Sequence, residues 1–336
     1  MNASMKPLRV GLIGAGWASR YHLRGWERQS GRAEVVALAD PNAEVRAVRA
    51  AEFSIPEIFD SAESLIAATK PDVLDICTPR ETHADLVRLA ADRGLATICQ
   101  KPFAPSLAEA RRVVADVGGR VPVMVHENWR FRSYYRRIAE LLCDGACGDI
   151  RQVQFEFLSS GMIPDAHGAR QALVRQPFLR TLDRMLVMEI VIHHIDTLRF
   201  LLGELDFVSA WLARTNDEII GEDVASILLK RREGGAPVSI TASLAVHGAP
   251  PLPQDHLRIF GSAGTIELDG TALAVCGRCE VSETFDADAA YQGAYDASIG
   301  HFIDRLADGK LFETRPDDNL KTLEIVEAIY AGAERS

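Results

Sequence analysis

Gly14-Ala15-Gly16-Trp17-Ala18-Ser19 follows directly on a short apolar run, residues 9–13, and opens a helical stretch over residues 18–27. This order of strand, glycine loop and helix decides the first half of the fold. The first glycine permits a tight turn, the second lets the backbone approach a pyrophosphate, and the third position must be small so that helix and strand can pack. Ser19 stands at that third position in place of glycine. A helix N-terminus offers unpaired N–H groups and the positive end of its dipole to phosphates. Asp40 closes the next buried strand, residues 34–39, where a carboxylate accepts two ribose hydroxyls and repels a 2′-phosphate. Pro41 and Asn42 supply no adjacent cation, so the pattern favours NAD over NADP.

The alternation continues outward from this loop. Ala43–Glu52 reads as a helix and residues 73–77 as a strand; after Thr78-Pro79 a helix runs to about Arg93, capped by Gly94. Residues 95–99 form a strand ending at Gln100-Lys101-Pro102. Ser106 and Glu109 make a capping box before the helix Leu107–Val117, and residues 121–125 are a further strand. Strands apolar throughout and separated by helices imply right-handed βαβ units in a parallel sheet. Residues 1–126 therefore read as a doubly wound Rossmann domain. Beyond residue 127 the pattern changes. A helix Ser133–Cys143, a strand at residues 152–158 and a helix at residues 185–202 precede strand-like runs at residues 208–213, 224–229, 238–245, 257–260 and 265–268. Two helices, residues 296–307 and 317–331, end the chain. Successive strands on short turns imply a mostly antiparallel sheet, so residues 127–336 read as a second α/β domain and the whole chain as α/β.

Composition limits the functions open to such a chain. Lys plus Arg total 37 and Asp plus Glu 47 among 336 residues, and the net charge of −10 argues against a nucleic-acid surface. No apolar run reaches the roughly 18 residues of a membrane span. The opening Met1-Asn2-Ala3-Ser4-Met5-Lys6-Pro7 has no apolar leader, which reads as a cytoplasmic protein. Cys77 and Cys99 sit in strand-like runs, as reduced thiols do, and Cys276-x-x-Cys279 has no second pair to complete a zinc site.

Several motifs then agree with one family. The N-terminal strand and loop run on to His22; Asp75-Ile76-Cys77-Thr78-Pro79 has His83 four residues after its proline; and Cys99-Gln100-Lys101-Pro102 carries glutamine where glutamate is usual. Further along stand Glu127-Asn128-Trp129-Arg130-Phe131, the helix segment Glu189-Ile190-Val191-Ile192-His193-His194-Ile195-Asp196, the late hairpin Ile259 to Glu267, and Tyr295 seven residues before Phe302. In this order they resemble the glucose–fructose oxidoreductase/inositol dehydrogenase/MocA (Gfo/Idh/MocA) family along nearly the whole chain. The resemblance implies a Rossmann domain plus a substrate-binding and oligomerisation domain with a large, mostly antiparallel sheet. It also implies a homodimer or homotetramer formed through that sheet. The activity implied is NAD(P)-dependent dehydrogenation of a sugar, polyol or inositol-like CH–OH compound. Two other readings stay open: a catalytically inactive dinucleotide-binding sensor or regulator, which the changes at Gln100 and Glu189 keep alive, and NAD-assisted glycoside cleavage.

The resemblance also carries site residues. At 100° per residue, His193 lies about 40° from Glu189 on the helix and Asp196 about −20°, so the three share a stripe. His194 falls among Ile190, Val191, Ile195 and Leu198 on the other side and reads as a hydrogen-bonded core histidine. Alcohol oxidation needs a base that titrates near working pH. His193 is expected as principal acid/base. Lys101 hydrogen-bonds the reacting oxygen and shares the proton transfer, and Glu189 orients one of them or holds a neighbouring hydroxyl. Gly14, Gly16, Trp17 and Ala18 are expected at the pyrophosphate, Asp40 at the ribose, Thr78 and His83 beside the nicotinamide, and Gln100 and Lys101 at its ribose. For His83 a helix-start residue satisfied by backbone is the alternative. Asn128, Arg130 and Tyr295 are expected toward the substrate, while Arg170, Arg175 and Arg180 read as solvated. Hydride transfer needs no metal, and none is expected.

Overall fold

The computed structural model describes residues 6–335; residues 1–5 of the opening read above lie outside the described residues. Six strands form the first sheet: β1 (Leu8–Ile13), β2 (Ala33–Ala39), β3 (Glu57–Phe59), β4 (Val73–Ile76), β5 (Ala96–Gln100) and β6 (Val123–His126). All of their pairings are parallel, in the order β3-β2-β1-β4-β5-β6. The helices α1 (Ser19–Glu27), α2 (Ala43–Glu52), α3 (Ala62–Thr69), α4 (His83–Asp92) and α5 (Leu107–Val117) connect them. The strand order reverses between β1 and β4, and doubly wound sheets bind ligands outside the carboxyl ends of the strands at such a switch point.

Most of this alternation was legible. Gly94 does cap α4: its φ is +71°, and Leu95 N–H donates to Ala90 O at 2.9 Å. The edge strand β3, whose three residues show no periodicity, and the eight-residue helix α3 were not read from the sequence. The strand expected from residue 121 begins at Val123, after Pro122, which has no N–H to give a ladder.

By compactness the chain divides into Met1–Phe131 with Tyr291–Lys321, and Arg132–Ala290 with Thr322–Ser336. A single cut after residue 126 does not describe this division, since a late stretch belongs with the first sheet. Its reason is hydrophobic: Ile299, Phe302, Ile303 and Phe312 share one buried cluster with Val10, Trp26, Ile98 and Met124. Thr314 also closes the outer edge of β6. Val125 N–H donates to Thr314 O at 2.9 Å, and Thr314 Oγ1 donates to Val125 O at 2.6 Å.

The second unit carries α6 (Ser133–Cys143), β7 (Ile150–Leu158), a short α7 (Gln171–Arg175) and α8 (Ile192–Leu202). Seven strands follow: β8 (Leu205–Ala213), β9 (Val224–Arg231), β10 (Pro237–Ser243), β11 (Gln254–Gly261), β12 (Gly264–Asp269), β13 (Ala272–Gly277) and β14 (Val281–Thr284). The long helices α9 (Ala287–Asp308) and α10 (Pro316–Gly332) precede a last strand, β15 (Ala333–Arg335). The sheet order is β14-β13-β12-β11-β7-β10-β9-β8-β15, antiparallel throughout except at β7–β10 and β8–β15. Burial alternates along β9 and β11, as it does on a sheet covered on one face. Val208, Trp211 and Leu228 are exposed. Among the described residues no helix is long and apolar enough to cross a membrane.

Candidate active site

Gly14 turns with φ +95°, and a Cβ there would stand 2.8 Å from the carbonyl carbon and oxygen of Cys77, so no other residue fits. A Cβ on Gly16 would meet nothing within 4 Å, so this peptide faces open space. Ser19, the small third residue, closes the loop by donating Oγ–H to Gly16 O at 2.7 Å. Asp40 pins the loop from the end of β2: its carboxylate accepts Ala15 N–H and Asn42 N–H, each at 2.8 Å. Arg49, buried on α2 and unseen in the sequence, donates to Gly16 O at 3.2 Å. No side chain caps α1 and no acidic residue lies in its first turn. Uncapped N–H groups behind an open glycine turn fit a bound pyrophosphate. Trp17 is 45% exposed, its ring centroid 4.8 Å from that of Tyr21. Pro41 and Asn42 bring no cation to Asp40, but Arg46, on α2, donates to the carbonyls of Asp40 and Pro41 at 3.0 and 3.3 Å.

The turns after β4 and β5 are joined by His83. Its Nδ1 lies 2.8 Å from Pro102 O and its Nε2 2.9 Å from Thr78 O. His83 is thus held by backbone, buried at the start of α4. Gln100 is buried and Lys101 half-buried at the end of β5. Gln100 Oε1 accepts Lys101 N–H at 3.1 Å, and its Nε2 donates to His22 Nε2 and His126 Nδ1 at 2.7 and 3.1 Å. Asn128 and Arg130 are buried, with the Arg130 guanidinium donating to Glu313 O at 3.3 Å and standing 3.6 Å from Asp318. Tyr295 is buried too, stacked on Tyr21 at 5.2 Å and 26°. Burial pushes its phenol well up, so it stays a donor.

In the second unit, Glu189 does not lie on regular helix. Leu186–Val191 is a π-helix that passes into α8, so a constant 100° per residue fails across Glu189 and the stripe drawn through it is corrected to this wider turn. The turn is held from below by Glu222, which is buried. Its carboxylate accepts Val187 N–H at 2.9 Å and Tyr330 O–H at 2.6 Å, and Tyr330 Oη accepts Met188 N–H at 3.2 Å. Neither Glu222 nor Tyr330 carries a sequence signal; a lone acid in a loop and a tyrosine in a terminal helix are common. Glu189 is half-buried and His193 buried. Asp196 accepts from Thr322 Oγ1 at 3.3 Å, which ties α8 to α10. His194 is a core histidine, with Nε2 3.1 Å from Asp255 Oδ1 and its ring 4.6 Å from both Phe155 and Phe157. The arginines expected to be solvated are not all so: Arg170 and Arg180 both pair with Glu218, the latter at 3.1 Å. Among the described residues, the group of His, Cys, Asp or Glu side chains close enough to share a cation is His22, Asp75 and Cys77.

Residues 8–121 match the family model described as an oxidoreductase family with an NAD-binding Rossmann fold, and residues 135–267 match the GFO/IDH/MocA C-terminal domain. The D-apiose dehydrogenase of Paraburkholderia graminis is 35% identical, covering 98% of this chain and 88% of its own. That of Rhizobium rhizogenes is 31% identical, covering 98% and 96%. Among solved structures, an oxidoreductase from Agrobacterium radiobacter in complex with NAD+, L-tartaric acid and magnesium superposes with a TM-score of 0.89 at 31% identity, over 97% of this chain and 96% of that one. Topology, cradle and both family matches agree, and the chain belongs to the Gfo/Idh/MocA family of oxidoreductases.

Proposed function

We propose that the protein is an NAD-dependent dehydrogenase acting on a CH–OH group of a sugar or polyol, with D-apiose the substrate to test first. The cofactor half of this reading is carried by the uncapped start of α1 behind Gly14 and Gly16, with Asp40 closing the loop. The sugar half is supported by similarity to two D-apiose dehydrogenases along 98% of the chain. Bound NAD supplies the hydride acceptor. The alcohol must lose its hydroxyl proton as hydride leaves the same carbon, which calls for a base near neutrality. His193 takes that proton, Lys101 donates a hydrogen bond to the reacting oxygen and shares the transfer, and Glu189 orients one of them or holds a neighbouring hydroxyl. Gly14, Gly16, Trp17, Ala18 and Asp40 hold the pyrophosphate and adenosine ribose. Thr78, His83, Gln100 and Lys101 border the nicotinamide riboside, and Asn128, Arg130 and Tyr295 border the substrate.

In the same reading the second unit, which carries the nine-stranded sheet, serves substrate and self-association. The exposed Val208, Trp211 and Leu228 support a homodimer or homotetramer through the nine-stranded sheet. The buried free thiols of Cys77 and Cys99 support the cytoplasm as its compartment.

The test is incubation with NAD and a panel of D-apiose, other aldoses, inositols and aldonic acids, following absorbance of the reduced cofactor. NADH should accumulate with one member. Lys101→Ala should lower its turnover at least about a hundredfold with NAD affinity nearly intact. Tight NADH binding without turnover of any member would favour the regulator, and product without NADH would favour cofactor-assisted cleavage.

A further inference from the structure

Beneath Lys101 runs a buried chain of polar side chains whose hydrogens can be placed in one way. Trp26 Nε1–H can only donate, and it reaches Asp75 Oδ2 at 2.7 Å; His22 Nδ1 lies 2.9 Å from the same oxygen. Gln100 Oε1 accepts the backbone N–H of Lys101 at 3.1 Å, which sets the orientation of the amide. The amide NH2 therefore faces His22 Nε2 at 2.7 Å and His126 Nδ1 at 3.1 Å. An amide nitrogen has two hydrogens and no lone pair to share, so both of those ring nitrogens are bare acceptors. His22 then carries its single proton on Nδ1 and gives it to Asp75. His126 carries its proton on Nε2 and gives it to Ser298 Oγ at 2.8 Å, whose own hydrogen goes to Tyr295 O at 3.0 Å. Each donor meets one acceptor, and neither ring is charged.

We propose that Gln100 is a positioning residue: its amide locks His22 and His126 as neutral rings of opposite tautomer and hangs the Lys101 peptide from that uncharged pair. The proposal deepens the dehydrogenase reading and depends on it only in the kinetic arm of the test. A glutamate carboxylate at this position has no hydrogen to offer either ring. With a carboxylate at position 100 as well as at Asp75, His22 would sit between two anions, and a proton would have to enter the pair to bridge them. Tyr295 lies against both rings, and the thiols of Cys77, 3.6 Å from Asp75 Oδ1, and of Cys99 lie near the Asp75 carboxylate. Burial pushes both thiols and the phenol well up, so they stay protonated across the neutral range. The same count accounts for the His22, Asp75 and Cys77 trio by hydrogen bonding, with Trp26 and His22 both donating to the Asp75 oxygen a cation would need.

The test is long-range proton–nitrogen NMR on 15N-histidine-labelled protein across about pH 6–9, the range in which histidine changes charge. In the wild type, two of the nine histidines should keep one protonated and one bare nitrogen throughout, with opposite tautomers. Gln100→Glu should convert at least one of these to the imidazolium pattern. Gln100→Met, which keeps the shape without hydrogen bonds, should not. With the substrate identified above, Gln100→Glu should add an ionisation to the pH profile of kcat. Gln100→Met should lower kcat evenly with pH. Imidazolium or matching tautomers for this pair in the wild type would overturn the proposal, as would an unchanged spectrum in Gln100→Glu. If that variant does not fold, the wild-type and Gln100→Met spectra decide. Failure to oxidise any sugar with the wild-type spectra as expected sinks the dehydrogenase reading and leaves the anchor standing.

Discussion

Asp40 and Asp255 are both carboxylates fed by fixed donors, and they serve different ends. Asp40 fastens the glycine loop, with Arg46 nearby on the backbone carbonyls, and in the proposed function its carboxylate faces the adenosine ribose. Asp40→Ser keeps an acceptor for the loop and removes the repulsion. The ratio of kcat/KM for NADP over NAD should rise at least about tenfold, or about 1.4 kcal/mol; initial rates with the two cofactors measure it, and an unchanged ratio contradicts the role given to this carboxylate. Asp255 is structural. Burial alone would raise its carboxyl, but the His194 hydrogen bond and charge, the Arg132 guanidinium and the Tyr135 hydroxyl outweigh burial and bring it down from 3.8 to about 2. A carboxylate with a depressed folded pKa stabilises the fold above its unfolded value and loses that contribution as pH falls. The loss should therefore run from about pH 4 toward pH 2 and amount to about 2 kcal/mol. Denaturant melts of the wild type and Asp255→Asn across that range should show the acid limb flattened in the variant. At neutral pH the variant should be less stable by about 3–5 kcal/mol, since Arg132 and His194 lose their buried partner.

Among elements, the π-turn before α8 is where periodicity misled. A heptad-style projection assumes regular helix, and nothing in Leu186-Val187-Met188-Glu189-Ile190-Val191 announces a wider turn; its cause lies about 35 and 140 residues further along, in Glu222 and Tyr330. Tyr330→Phe leaves Met188 N–H and one Glu222 oxygen without this partner. It should cost about 1–3 kcal/mol of stability in a denaturant melt. It should also lower kcat more than it changes NADH affinity, because the turn carries Glu189 and leads into His193. Equal loss of both would assign Tyr330 to general stability alone. By contrast the Rossmann elements other than β3 and α3 were legible in the sequence. Ser106 caps its helix as the capping box predicts, and Ala43–Glu52 and Leu107–Val117 begin and end where the sequence places them; the caps at Asn42 and Ser61 were not read. Local chemistry sets those boundaries. Candidate site residues can be named from the sequence where a motif is contiguous, as at Gly14 to Ser19 and Gln100 to Pro102. Arg49, His126, Ser298 and Glu222, whose hydrogen bonds hold those segments and the π-turn, carry no such motif.

For the whole molecule, the hydrophobic cluster around Trp26 is completed by residues 299–312, far from it in sequence. A fragment of residues 6–131 should therefore expose the apolar faces of Trp26 and Met124, bind hydrophobic dye and melt without a cooperative transition. Joining residues 291–321 to it through a flexible linker should restore a sharp melt; equally cooperative melting of the short fragment would show that the late stretch is dispensable. The same feature sets an order on biosynthesis. Translation delivers the first five Rossmann helices and all six parallel strands early, then the whole of residues 132–290 before Ile299 and Phe302 emerge. At about 5–20 residues per second that interval lasts about 8–30 s, during which a nascent chain on the ribosome presents an unfinished apolar face for holdase chaperones to grip.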